Sequence, residues 1–124
     1  MTQPLAIVLY ERLLPGSKLV NRLQDLGYRV LTVTAPNALV ACAEQEKPML
    51  AAADMVAARG GVAEAIGQLK RNPATSHIPV IAFVEDKELD LQQAARDAGA
   101  NLVVGEVAIL THLEQFLDQA LELD

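Results

Sequence analysis

Residues 46–54 read EKPMLAAAD, and the state of their apolar centre, Met49 to Ala53, decides the fold. Propensity assigns this run to a helix, because alanine loses less entropy than any other residue on entering one. Spacing assigns it to a strand. Pro48 blocks helix growth from the N-terminal side and the Gly60-Gly61 pair marks a turn soon after, so five apolar residues fall short of an ordinary helix of about 11–12. The pattern on both sides also requires a strand here, since strand-like and helix-like segments alternate along the rest of the chain.

Towards the N-terminus, Leu5 to Tyr10 (LAIVLY) is a short continuous apolar run between Pro4 and the charged pair Glu11-Arg12, the pattern of a strand buried on both faces. Pro15-Gly16-Ser17 then suits a helix start, Leu19, Leu23 and Leu26 recur at helical spacing with Val20 beside them, and Gly27 supplies the stop. Arg29 to Val33 (RVLTV) is β-branched and strand-like. After it Thr34 or Asn37 could cap a helix through Leu39, Val40 and Ala43 to about Glu46.

Towards the C-terminus, Val62, Ala65, Ile66 and Leu69 form a helical stripe that ends near Asn72-Pro73. Ile78 to Val84 (IPVIAFV) is the most strand-like segment of all. Leu91, Ala94, Ala95 and Ala98 make a small-residue stripe stopped by Gly99, Leu102 to Val104 is a short strand, and Ile109, Leu113, Phe116, Leu117, Ala120 and Leu121 mark one last amphipathic helix. The sum is (βα)5. Alternation with right-handed crossovers implies an α/β, flavodoxin-like parallel sheet of five strands in the order 2-1-3-4-5, with helices on both faces. Residues 1–124 are read as one domain.

Composition bounds the function. The 124 residues are 52% hydrophobic, enough for a packed core, and no apolar run approaches the roughly 18 residues that a membrane span needs. The first residues lack the basic region of a secretory signal, so a cytoplasmic protein is expected. A net charge of -6 with no Lys/Arg cluster argues against a nucleic-acid partner, because phosphate neutralisation drives that binding. The single cysteine, Cys42, lies on the second helix as a small hydrophobe, and no Cys/His set has metal-ligand spacing. His77 and His112 stand away from the rim acids and read as solvated or capping residues.

In such sheets ligands sit beyond the carboxyl ends of the strands, at the switch point between the first and third. Tyr10, Glu11, Arg12, Asp54, Arg59, Glu85 and Glu106 fall there, which makes an acidic rim with Arg12 and Arg59 as crevice cations. Two carboxylates could hold a hard ion such as Mg²⁺, and the bland reading is solvated loop acids or helix caps. A flavin phosphate would need a hydroxyl- and Gly-rich loop after the first strand, whereas the loop here is YERLLPG.

Four segments, LGYRVLTV (26–33), EKPMLAAAD (46–54), LKRNPATSHIPVIAFV (69–84) and ARDAGANLVV (95–104), together resemble the receiver domain of two-component response regulators over nearly the whole chain. The resemblance implies a CheY-like module in which the Asp ending the third strand takes a phosphoryl group from a histidine kinase, with acids after the first strand holding Mg²⁺. Asp54 matches that phosphoacceptor and Glu11 the second acid; Glu11 and Asp54 are then the metal candidates. The remaining switch positions depart from the pattern. Tyr10 replaces the first acid and puts a phenol in the crevice; Val84 replaces the hydroxyl residue ending the fourth strand; Glu106 replaces the lysine after the fifth; Val103 replaces the aromatic within it.

The expectation is therefore a degenerate, stand-alone pseudo-receiver, not an enzyme and without a cofactor, that signals through phosphorylation-independent protein–protein contact. Arg12 or Arg59 would pair with Glu106 in place of the phosphoryl chemistry. Two alternatives stay open: a true phosphoacceptor on Asp54 with a weak Mg²⁺ site, and a small-molecule binder in the strand-end crevice. Partners implied are a histidine kinase, a downstream effector, or a second copy meeting through the face of the fourth helix, fifth strand and last helix. The acids Glu114, Asp118 and Glu122 recur every four residues on that last helix, either as a solvent face or towards a basic partner.

Overall fold

The computed structural model describes residues 3–56 and 61–122. Strands β1 (Leu5–Leu9), β2 (Arg29–Val33), β3 (Leu50–Asp54), β4 (Val80–Val84) and β5 (Leu102–Gly105) form one parallel sheet in the order β2-β1-β3-β4-β5. The helices are α1 (Leu13–Asp25), α2 (Pro36–Glu46), α3 (Val62–Arg71), α4 (Leu89–Ala98), α5 (Ala108–Thr111) and α6 (Leu113–Glu122).

The alanine-rich run is a strand, and the buried centre of the sheet explains why. All five residues of β3 are buried, flanked by β1 and β4, so pairing on both edges and burial on both faces outweigh alanine's helical preference. Pleating sorts the apolar side chains into two layers. Ile7, Leu9, Ala51, Ala53, Val80, Ala82 and Val84 pack with α2, α3 and α4, while Ala6, Val8, Leu50, Ala52, Ile81 and Phe83 pack with α1, α5 and α6.

The passage from α3 to β4 is held by polar side chains. The buried Thr75 hydroxyl donates to the Leu69 carbonyl at 2.8 Å, and Asn72 Oδ1 accepts from the Ala74 N–H at 2.9 Å. Asn101 Oδ1 accepts from the Val80 N–H at 2.9 Å, which ties the start of β5 to the start of β4. Lys70 Nζ donates to the Ile78 carbonyl at 2.7 Å, and burial lowers the pKa of its amine.

Two local readings are corrected. Helix α2 begins after Ala35 with Pro36 in its first turn and no side-chain cap, so neither Thr34 nor Asn37 caps it. Leu14 has extended backbone (φ -117°, ψ 127°), so the regular part of α1 begins at Pro15-Gly16-Ser17, as its sequence suggests. The last helix is two, because His112 (φ -124°, ψ 30°) leaves helical geometry between α5 and α6. Periodicity alone does not register such a one-residue break.

Candidate functional site

The parallel register brings the strand ends to one rim. Leu9 lies opposite both Val33 and Ala53, Asp54 opposite Phe83, and Val84 opposite Gly105. Backbone bonds carry the ladder past the strand ends, from Tyr10 N–H to the Val33 carbonyl, Met55 N–H to Phe83 and Glu106 N–H to Val84, each at 3.0–3.1 Å. The rim residues are thus placed by main chain.

Asp54 is fully buried, and each carboxylate oxygen has a donor. Arg12 Nε donates to Oδ2 at 2.9 Å and Arg12 Nη2 to Oδ1 at 2.8 Å; the Val56 N–H donates to Oδ1 at 3.1 Å. Arg12 Nη2 also donates to Glu106 Oε2 at 2.9 Å. A planar guanidinium fork suits two parallel bonds to one carboxylate, which an ammonium on a flexible stem does not. The hydrogen bond from Arg12 to Asp54 raises the guanidinium pKa further, against the opposing effect of burial, and the charges of Asp54 and Glu106 add to the rise. Arg12 therefore stays a cation throughout, tying the β1–α1 junction to the end of β3 and to the β5–α5 junction.

Of the residues singled out in the sequence, Arg12, Asp54 and Glu106 come together. Glu11 is exposed on the loop. Val84 is buried at the end of β4, and Val103 is half-buried on the α2, α3 and α4 side of β5. Arg59 lies outside the described residues. The Tyr10 ring packs against Gly16 and with the apolar residues of the α1, α5 and α6 layer. A Cβ on residue 16 would overlap that ring, so only glycine fits beside it. The expectation paired Arg12 or Arg59 with Glu106; in the structure Arg12 has two partners, Asp54 through the fork and Glu106.

The arrangement does not fit a divalent ion. A guanidinium already fills the coordination space of both Asp54 oxygens, and the second acid of the expected pair points to solvent. Among the described residues no group of three or more His, Cys, Asp or Glu side chains converges in metal-ligand geometry.

No protein-family model matches the sequence, and no curated protein does. Solved structures do match. A protein assigned as a response regulator from Chloroflexus aurantiacus J-10-fl superposes with a TM-score of 0.88 at 14% identity, covering 97% of this chain and 98% of that one. The receiver domain of sensor histidine kinase PA1611 from Pseudomonas aeruginosa PAO1 gives 0.87 at 17% identity, with the same coverage of both chains. The receiver domain of a modulated diguanylate cyclase from Desulfovibrio desulfuricans G20 gives 0.80 at 20% identity, over 97% of this chain and 94% of that one.

The chain has the receiver-domain fold. The Pseudomonas receiver holds a magnesium ion in its active-site cleft, and the response regulator Rcp1, which superposes with a TM-score of 0.74, has been solved with Mn²⁺. Among the described residues, Arg12 is the cation that contacts the carboxylate at the end of β3.

Proposed function

We propose that this chain is a pseudo-receiver, a signalling module of the two-component type whose output is phosphorylation-independent contact with another protein. One observation carries the reading: the guanidinium of Arg12 is bound in a fork to Asp54 and shared with Glu106. A phosphoryl group on Asp54 would have to displace two charge-assisted hydrogen bonds and would bring about -1.5 to -2 charges next to Glu106. Val84 offers no hydroxyl to hold it. No residue is assigned a catalytic role, and no Mg²⁺ is required. The expected partners are a kinase or effector of the same signalling class, met in the cytoplasm. No helix among the described residues is long and apolar enough to cross a membrane.

The phosphoacceptor reading draws on the place of Asp54 at the end of β3. It requires Arg12 to swing out and Mg²⁺ to enter beside Glu11. An amide NMR titration with Mg²⁺ and then beryllofluoride, an acyl-phosphate mimic, separates the two. The pseudo-receiver gives an unchanged spectrum at Asp54, Val84 and Glu106. Saturable shifts confined to those residues would replace it with the phosphoacceptor.

A further inference from the structure

The carboxyl ends of the strands carry the Arg12 site; their opposite ends form a groove of about 610 Å³ that the site does not use. Main-chain bonds hold the strand starts side by side there. Arg29 N–H donates to the Pro4 carbonyl at 2.8 Å, Met49 N–H to Leu5 at 2.8 Å and Ala51 N–H to Pro79 at 3.0 Å. Pro4, Pro48 and Pro79 stand at the starts of β1, β3 and β4 and line the groove, with no N–H to hydrate. Leu5, Leu121 and Met49, the last 50% exposed, complete an apolar floor. The wall at His77 is fixed from behind, since Lys70 Nζ donates to the carbonyls of Ser76 at 3.3 Å and Ile78 at 2.7 Å. A groove built from strand starts and prolines is formed before any ligand arrives, so little ordering opposes binding.

The polar lining of this groove is mostly basic, in a chain of net charge -6. Arg29, at the start of β2, and Lys47, between α2 and β3, are exposed cations, and the exposed His77 offers an imidazole N–H. Among the described residues the ion pairs are Arg12 with Asp54 and Glu106, and Lys87 with Glu85, so neither cation of the groove is paired within the chain. The one acid among the described lining residues, Glu46, acts on Cys42, a turn back along α2. Lys47 has left-handed backbone (φ 51°, ψ 61°), and its N–H caps α2 on the Ala43 carbonyl at 3.0 Å. Glycine takes that conformation freely and a residue with a Cβ does not, so the ammonium stands where the fold by itself favours glycine. Strain of this kind collects at functional positions. Unpaired cations around an apolar floor are complementary to an acidic ligand that also carries an apolar side chain.

Strand spacing sets the shape of that ligand. Strands β2, β1, β3 and β4 are neighbours at about 4.8 Å, so Arg29 on β2 and His77 before β4 lie about 14 Å apart across the sheet, with Leu5 and Met49 between them. An extended segment rises about 3.4 Å per residue and turns alternate side chains to one face, so its residues i and i+4 span about 14 Å with i+2 midway. We infer that the groove binds an extended acidic segment of another protein in the pattern acid-x-apolar-x-acid. One carboxylate meets Arg29, the apolar side chain rests on Leu5 and Met49, and the other carboxylate meets Lys47 and His77. The inference rests on the pseudo-receiver reading and deepens it, by naming the surface and the partner chemistry of a contact made at the end of the sheet away from Asp54.

Amide NMR on the full chain tests it. Titration with the peptide acetyl-Glu-Thr-Leu-Thr-Glu-amide to millimolar concentration is expected to give saturable shifts at Arg29, Met49 and His77 and none at Asp54 or Glu106. Arg29→Gln raises the peptide Kd about three- to fivefold, the effect of one exposed charged contact. Lys47→Gly does the same and should not lower Tm, because glycine suits the left-handed turn, so weaker binding there is not a failure to fold. Arg29→Glu with Lys47→Glu abolishes binding of this peptide and creates binding of acetyl-Lys-Thr-Leu-Thr-Lys-amide. Absence of saturable shifts at millimolar peptide overturns the inference. So do shifts that survive replacement of both peptide glutamates by glutamine, or of its leucine by serine. Binding to phosphatidylserine vesicles that the double reversal abolishes would assign the groove to a membrane surface and overturn it as well. The Mg²⁺ and beryllofluoride titration reads the other end of the strands, so a groove that fails leaves the Arg12 result standing, and shifts at Asp54 leave the groove measurable.

Discussion

Replacing Arg12 with alanine removes two of the three donors that satisfy the buried Asp54 carboxylate and leaves the Val56 N–H alone. Breaking a fully buried ion pair by deleting one partner costs about 3–5 kcal/mol, because the remaining charge stays desolvated. Here Arg12 is 32% exposed and Glu106 24%, so water enters the vacated space and the expected cost falls to about 2–3 kcal/mol. For a domain of this size that is a drop in Tm of about 6–15 °C. In an Asp54→Asn background the same Arg12→Ala change removes a partner from a neutral amide, and the cost shrinks to about 1 kcal/mol. The assay is a double-mutant cycle by thermal and urea denaturation followed by circular dichroism. Because Asp54 is buried, the coupling persists in high salt, whereas a surface pair would be screened away. Equal losses in both backgrounds would refute the reasoning, as would a loss below about 2 °C in the native one.

Further outcomes follow from other contacts. Asn101→Ala strands the Val80 N–H at the start of β4 and should cost about 1–3 kcal/mol by urea denaturation; a neutral change would mean that water replaces the side chain. Gly16→Ala improves helix propensity by about 1 kcal/mol yet forces the Tyr10 ring to move, so it should destabilise the native chain and stabilise a Tyr10→Ala variant. Tyr28 is raised above its ordinary pKa of 10.0 by burial and then by the charge of Asp118, and Cys42 above 9.0 by burial and then Glu46. Each group keeps its proton in the folded state where the unfolded chain releases it, so stability is intact below pH 9 and falls as pH rises through these folded values. Ultraviolet titration in a Tyr10→Phe background should show Asp118→Asn bringing Tyr28 closer to 10.0; no movement would remove Asp118 as a cause.

The order of elements was legible because burial leaves a mark on composition. A central strand sealed on both faces is a continuous apolar run, and in β3 the count of residues between Pro48 and the glycines outweighed alanine's preference. Asp54, Glu106 and Arg12 could be placed on one rim because strand ends in a parallel sheet share a level. Side-chain direction was less legible. Tyr10 follows β1 immediately, yet its ring turns towards Gly16, a consequence of the bare backbone that no periodicity reports. The two-sided fork of Arg12 depends on distances between three junctions of the chain, and the split at His112 depends on one residue's backbone angles.

The Arg12 site sets the geometry of two junctions. Leu14 follows Arg12 by two residues and Val107 follows Glu106 directly, so the bond from Arg12 Nη2 to Glu106 ties together the two segments that carry these exposed aliphatic side chains. The cation that holds them is part of the chain and stays charged, so the tie itself draws on no diffusible ion. Arg12→Ala and Glu106→Gln both weaken that tie and should both speed amide hydrogen exchange around Leu14 and Val107. Asp54→Asn leaves Arg12 bound to Glu106 and should leave that exchange unchanged. Hydrogen exchange on the three variants decides it: an effect of Asp54→Asn as large as that of Glu106→Gln would mean that general loosening of the fold, and not the tie, governs the two junctions.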